Sequence, residues 1–274
     1  MQDKIIKRLS ADVSSELQQS ALHPVLQKVF SHRRVNTPEE IEYSLANLIG
    51  FNQLKGIDEA AEIIVNAIKS KQKILIVGDF DADGATSTAV SLRVLRMFGH
   101  SNVTSLVPNR FDFGYGLSPE LVEVACQDKP DLLITVDNGI SSIEGVAAAR
   151  AARIQVVVTA HHLAGRELPD AHAIVNPNQP GCDFPSKNLA GVGVIFYVML
   201  AVRAKLREQA YFGGQIAEPN MGSILDLVAL GTVADVVPLD ANNRILVSQG
   251  LKRMQAGKAC VGIQAILKIA GRDI

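Results

Sequence analysis

Between residues 73 and 177 the chain alternates short β-rich runs with helical stretches, and this alternation constrains the fold more than any other feature. The runs are "KILIVG" (73–78), "NVTSLV" (102–107), "DLLITV" (131–136), "QVVVT" (155–159) and "AHAIVNP" (171–177). Each is continuously apolar rather than alternating in and out, as expected of strands covered on both faces. Helices are predicted between them, over 84–98, 118–126 (opening on Ser-Pro-Glu) and 141–152. The expectation is an α/β fold: a parallel β-sheet with helices on both faces. A helical lead-in, residues 1–70, precedes it. There Leu22, Val25, Leu26 and Val29 form an apolar stripe, Pro24 sits near a helix start, and Thr37-Pro38 offers a second start. A further helix over 57–70 carries Ala61, Ile64, Val65 and Ile68 on one stripe. The α/β part is assigned to 71–215 and a helical end to 216–274, with helices over 189–210, 221–236, 244–256 and 260–270.

Composition excludes several classes. Apolar residues make up 47% and charged residues 20%, which suits a globular chain and not a disordered one. The net charge of −1 carries no message about nucleic acid, because a local basic groove is invisible in that sum. The start "MQDKIIKRLS" does not read as a signal peptide, and no run is long enough to span a membrane. Cys126, Cys182 and Cys260 are far apart, fitting plain thiols in a reducing, cytoplasmic setting and no zinc knuckle. A dinucleotide site is a poor fit, since no GxGxxG follows the first strand.

Ligands of open parallel sheets collect at the carboxyl ends of the strands. There this sequence places Asp79, Asp81 and Asp83 after the first run, Asp137 after the third, and His161 and His162 after the fourth. Asp81 and Asp83, two apart on a segment expected to be extended, would point the same way and repel unless a cation compensates. Taken singly, each has an ordinary reading: a loop, a helix N-cap for Asp137, a structural His pair. Together they point to a dinuclear divalent-metal site, the imidazole adding preference for Mn²⁺ or Zn²⁺ over the Mg²⁺ of a pure oxygen site. Asp235, at the end of an apolar helix where an acid opposes the dipole, reads as a further ligand.

"VGDFDADGATST", "VPNRFDFGYGLS", "TVDNGISS", "VVVTAHHLAG", "NPNQP", "SKNLAGVGVIFY" and "GTVADVVPLDANNRIL" follow one another in order. These blocks resemble the successive motifs of the DHH phosphoesterases, and within them those of the bacterial single-strand-specific 5′→3′ DNA exonucleases of repair and recombination. The resemblance implies phosphodiester hydrolysis with two divalent cations, Mn²⁺ or Mg²⁺, held by Asp79, Asp81, Asp83, Asp137, His161 and Asp235. His161, His162 and Asp137 would be catalytic, His162 lying beside the scissile phosphate. Arg110 falls where the family holds a phosphate. Tyr115 suits either stacking on a base or packing, and the amides of Gly191 and Gly193 suit either a phosphate or close packing. Asn243 and Arg244 are further candidate substrate contacts. The implied partners are single-stranded DNA with a 5′ end, a single-strand-binding protein and a helicase, with no membrane.

Two departures stand out. The family's Asp-His-His triplet reads Ala160-His161-His162 here, every other block being intact. The expectation is an engineered Asp→Ala change that slows catalysis while leaving metal and substrate binding in place. The family's exonucleases also continue into further domains, so a catalytic fragment with weak DNA binding is expected. Two other functions stay open: a relative acting on short oligonucleotides, cyclic dinucleotides or pyrophosphate, and a non-catalytic scaffold with this fold.

Overall fold

The computed structural model describes residues 12–272. Five strands form one parallel sheet: β1 (Ile74–Gly78), β2 (Val103–Leu106), β3 (Leu132–Val136), β4 (Gln155–Thr159) and β5 (Ala173–Val175). Their spatial order is β2-β1-β3-β4-β5, so the direction of winding reverses between β1 and β3. Register matters more than order. Gly78 pairs with Val136, and Val136 with Thr159, so β1, β3 and β4 end at one level. The residues after those ends are Asp79, Asp137 and Ala160, and the Asp137 amide still bonds the Thr159 carbonyl at 3.0 Å.

Eleven α-helices surround the sheet and its approaches among the described residues. They are α1 (Ser15–Gln19), α2 (Pro24–His32), α3 (Ile57–Lys69), α4 (Ala82–Met97), α5 (Arg110–Phe113), α6 (Pro119–Gln127), α7 (Ile143–Ala151), α8 (Gly191–Glu208), α9 (Leu225–Ala234), α10 (Ala241–Gln255) and α11 (Val261–Ile269). Alternate strand residues face opposite layers. Ile74 and Ile76 join α3, α4, α8 and α9 in the larger core, while Leu75 and Val77 join α6 and α7 in the smaller. Such burial, at roughly 25 cal/mol per Å² of apolar surface, is what holds the strand ends rigid.

Sequence and structure differ upstream. The stretch beyond α2 forms short 3₁₀ turns at Pro38–Ile41, Leu45–Asn47 and Phe51–Gln53 rather than α-helix. Thr37 does cap the first of these in a capping box with Glu40. Of the expected α2 stripe, Val25, Leu26 and Val29 are exposed, so helical spacing there marks no buried face. By contrast α3, read as the end of the lead-in, is a full part of the sheet's core through Ala61, Ile64, Val65 and Ile68. The part of the lead-in before residue 12 lies outside the described residues. No helix among the described residues is long and apolar enough to cross a membrane, and all three cysteines are free.

Candidate metal centre

Strand ends β1, β3 and β4 deliver their polar residues to one place, but not in the way the linear sequence suggests. Asp81 and Asp83 do not share an extended segment. Helix α4 begins at Ala82, two residues earlier than expected. Asp81 is its N-cap, its carboxylate accepting the Gly84 amide at 2.8 Å. Asp83 lies in the first turn and points inward, buried. The two acids therefore part company. Asp79, Asp81 and Asp137 can converge on one cation, and Asp83, His161 and Asp235 on another, their ligand atoms lying within 4.8 Å of one another in each group. Asp137 also groups with His161 and His162, so it stands between the two positions. It occupies the left-handed region (φ 63°) and does not cap the following helix, whose N-cap is Ser142. Asp235 is the C-cap of α9, as its position at a helix end implied.

Oxygens crowd the His161 ring. Its Nε2 lies 3.2 Å from Asp137 Oδ1, 3.4 Å from Asp235 Oδ2 and 3.9 Å from Asp83 Oδ2. Yet Nε2, Asp137 Oδ1 and Asp235 Oδ2 are all buried without a hydrogen-bond partner among the described residues. Buried polar atoms are nearly always satisfied, so three orphans facing one another suit a divalent cation as their shared partner. The protonation equilibria agree. Burial first, then the charge of Asp137, pushes Asp83 up to about 8. Burial also raises Asp137, to about 6, with His161 pulling it back. Asp235 is raised by burial, against the pull of His161. His161 is pulled down by its own burial, but Asp137, Asp235 and Asp83 outweigh that and leave it raised. No described lysine or arginine forms an ion pair with Asp83, Asp137 or Asp235; the salt-bridge partner they share is His161. Carboxylates with imidazole suit a Mn²⁺- or Mg²⁺-type ion.

The "LAGVG" turn works differently from a phosphate cradle. Helix α8 starts at Gly191, and its first amides are occupied by the protein itself. Gly191 N–H donates to Asp83 Oδ2 at 2.7 Å and Val192 N–H to Asp83 Oδ1 at 2.8 Å. A carboxylate at a helix N-terminus is favoured by dipole and charge-assisted bonds alike. At Gly193 the missing Cβ makes room for the Leu189 side chain. Asn243 is likewise internal. Its side-chain amide nitrogen donates to the carbonyls of Asn188 (2.7 Å) and Pro238 (3.1 Å), so it pins two loops, and it is buried. Arg244 donates to the Leu239 carbonyl at 2.7 Å and lines a groove described below. Arg110 opens α5, and its side chain lies outside the described set.

Tyr115 has a role the sequence did not suggest. Its hydroxyl lies 3.2 Å from His162 Nδ1 and donates to the Asp137 carbonyl at 3.3 Å, with the two rings edge to face. His162 is half exposed, and burial plus the neighbouring His161 keep it below its ordinary value, hence neutral at pH 7. Asn176 and Asn178 were also missed as positioning residues. Their amides donate to the carbonyls of His162 (2.9 Å) and His161 (2.6 Å), fixing the loop after β4. The signal was present in "NPNQP", a block with no ionisable group to draw the eye. Ala160 is fully buried, donates its amide to Val175 (3.2 Å), and contributes no oxygen to the site.

Comparison with known proteins adds a context. Residues 73–232 match the DHH family, N-terminal domain. The single-stranded-DNA-specific exonuclease RecJ of Salmonella typhimurium is 54% identical over 273 residues, covering 99% of this chain and 47% of that protein. The chain thus spans about half the length of the curated relatives it matches. A crystal structure of exonuclease RecJ bound to manganese aligns with a TM-score of 0.69 at 34% identity, over 80% of this chain and 52% of that one. RecJ from Thermus thermophilus in complex with Mn²⁺ aligns with a TM-score of 0.75 at 29% identity, over 95% of this chain and 35% of that one.

Proposed function

The chain belongs to the DHH family, and from that premise we propose that it is the catalytic part of a metal-dependent exonuclease that hydrolyses phosphodiesters of single-stranded DNA from a 5′ end, in repair and recombination. The observation that carries the reading is the set of buried, unpartnered atoms on Asp137, His161 and Asp235, gathered at the reversal point of a parallel sheet. Identity to single-strand-specific exonucleases supports the substrate class. Asp79, Asp81 and Asp137 would hold one Mn²⁺ or Mg²⁺, and Asp83, His161 and Asp235 the other. A pair of such ions, when bound, supplies charge to a phosphodiester and acidifies a water.

The chain's own residues do the rest. Asp137 joins the two positions, and the α8 amides hold Asp83 in one orientation. Asn176 and Asn178 fix the backbone of the two histidines. His162, neutral and half exposed, is set beside the scissile phosphate with Tyr115 holding its ring. Arg110 holds a phosphate. An alanine at 160 leaves the binding groups in place and slows the reaction; partners that orient ligands typically contribute 10–100-fold. A cytoplasmic setting, which the free thiols suit, belongs to the same reading, as do a single-strand-binding protein and a helicase as partners.

The test is Mn²⁺-dependent nucleotide release from end-labelled single-stranded DNA, by this chain and by its Ala160→Asp variant. Digestion by the variant, much faster than by the parent, is the expected result. Digestion of cyclic dinucleotides in preference to DNA would support the small-substrate reading. Absence of metal binding by both would support the scaffold.

A further inference from the structure

A groove of about 740 Å³ runs between the end of α2 and the start of α10, walled by Arg33, Arg34, Glu40, Asn188, Asp240 and Arg244. Its three arginines lack a carboxylate partner among the described residues. Arg33 and Arg34, at the end of α2, make no side-chain bond there, and both are exposed. Arg244 is anchored through one nitrogen on the Leu239 carbonyl, while its Nε is buried and unpartnered. The two acids are already engaged. Glu40 accepts the amides of Asn36 (2.8 Å) and Thr37 (3.1 Å), and Asp240 accepts the Asn243 amide (3.0 Å) and the Ser186 hydroxyl (2.8 Å). The groove therefore offers three guanidinium forks whose natural complement is an oxyanion, and guanidinium matches phosphate bidentately.

Its position narrows the choice of anion. Pro238, in the groove wall, is three residues beyond Asp235, and Asn188 is three residues before Gly191, whose amide holds Asp83. At 3.8 Å between successive Cα atoms, each wall begins no more than about 11 Å from a residue of the metal centre. The Asn188 carbonyl is bonded to the Asn243 side chain, so the two walls are tied together.

We propose that this groove is a second phosphate site, which takes a backbone phosphate of the single strand a few nucleotides from the one at the metal centre. It acts without reading sequence, through Arg33, Arg34 and Arg244, and sets the path of the strand. The proposal rests on the exonuclease reading above and extends it to the unreacted part of the substrate.

The experiment measures binding of a labelled oligothymidylate, and of the dinucleotide pTpT, to the chain in chelator across a range of salt. The double variant Arg33→Gln/Arg34→Gln is compared with the parent and with Arg33→Lys/Arg34→Lys. Both arginines are exposed and unpaired in the described structure, so the melting temperature is expected to stay put. For the oligothymidylate, affinity falls in the glutamine variant and the slope of log K against log salt shrinks by about 0.7 per lost phosphate contact. The lysine variant recovers most of the slope, and pTpT, too short to reach, binds all three alike. An unchanged oligothymidylate affinity and slope in the glutamine variant overturns this proposal alone. So does tight binding of an acidic peptide to the groove with DNA left indifferent. Failure of the parent to bind any single strand, in chelator and in Mn²⁺ alike, overturns the exonuclease reading with it.

Discussion

Gly191 lies so close to Asp137 that a Cβ on it would stand 2.4 Å from the acid's Oδ1. That contact seats the N-terminus of α8 against the acid between the two cation positions, while the same turn's amides hold Asp83. Gly191→Ala must displace either the helix or Asp137. The expected cost is about 1–3 kcal/mol of stability, as for other overpacked sites. Loss of Mn²⁺ binding accompanies it, read by thermal unfolding with and without the metal. Gly193→Ala, which meets only the Leu189 side chain, is expected to spare metal binding.

Metal-free stability carries a pH signature. Asp83 is raised to about 8 and Asp137 to about 6, from ordinary values of 3.8. A raised carboxyl favours the folded state fully below its unfolded value and loses that contribution as pH rises through the folded one. With chelator present, the two groups therefore destabilise the fold progressively between about pH 4 and 8. Buried His100, lowered by its burial, and exposed His172, lowered by partial desolvation and by Arg150, push the other way, so the comparison is with Asp83→Asn. The parent's melting temperature is expected to fall more steeply, or rise less, from pH 5 to 8.5 than that of Asp83→Asn. Mn²⁺, which needs deprotonated ligands, stabilises the parent increasingly over the same range.

Removing the Tyr115 hydroxyl tests whether it holds His162. In an Ala160→Asp background, Tyr115→Phe is expected to lower kcat roughly tenfold with little change in KM, as for other partners that orient a functional histidine. The His162 imidazole resonances, followed by NMR against pH, are expected to move as well. A stacking role alone would change KM and leave that titration in place.

Asn178→Ala removes donors to the carbonyls of His161 and Lys187 (2.6 and 3.1 Å). The loop after β4 then loses part of its support. Mn²⁺ affinity is expected to fall about tenfold, with a loss of about 1 kcal/mol in stability for the bond itself. Calorimetric titration of the metal and a denaturant melt read the two effects separately.

Much of this was legible in the sequence, because continuous apolar runs and the polar residues after them obey simple rules. A buried strand must end somewhere, and Asp79, Asp137 and His161 follow three ends that pairing aligns. The pairing itself was not visible, nor was the split between Asp81 and Asp83, which depends on where α4 begins. The amides of α8 read as a place for an external phosphate because nothing in one dimension shows that Asp83, 108 residues away, already occupies them. Asn176, Asn178 and Tyr115 act through bonds to backbone carbonyls or a neighbouring ring, and such bonds leave no spacing to detect. The α2 stripe misled for the converse reason. Periodicity marks an apolar face, and burial depends on what lies opposite.

Calorimetric titration of Mn²⁺ into this chain and into Asp137→Asn, Asp81→Asn and Asp235→Asn tests the central claim most directly. The two groups, with Asp137 of the first 3.2 Å from His161 of the second, predict two ions for the parent, one each for Asp81→Asn and Asp235→Asn, and weakened binding at both positions for Asp137→Asn. A single ion in the parent, or full binding by Asp137→Asn, would contradict the account.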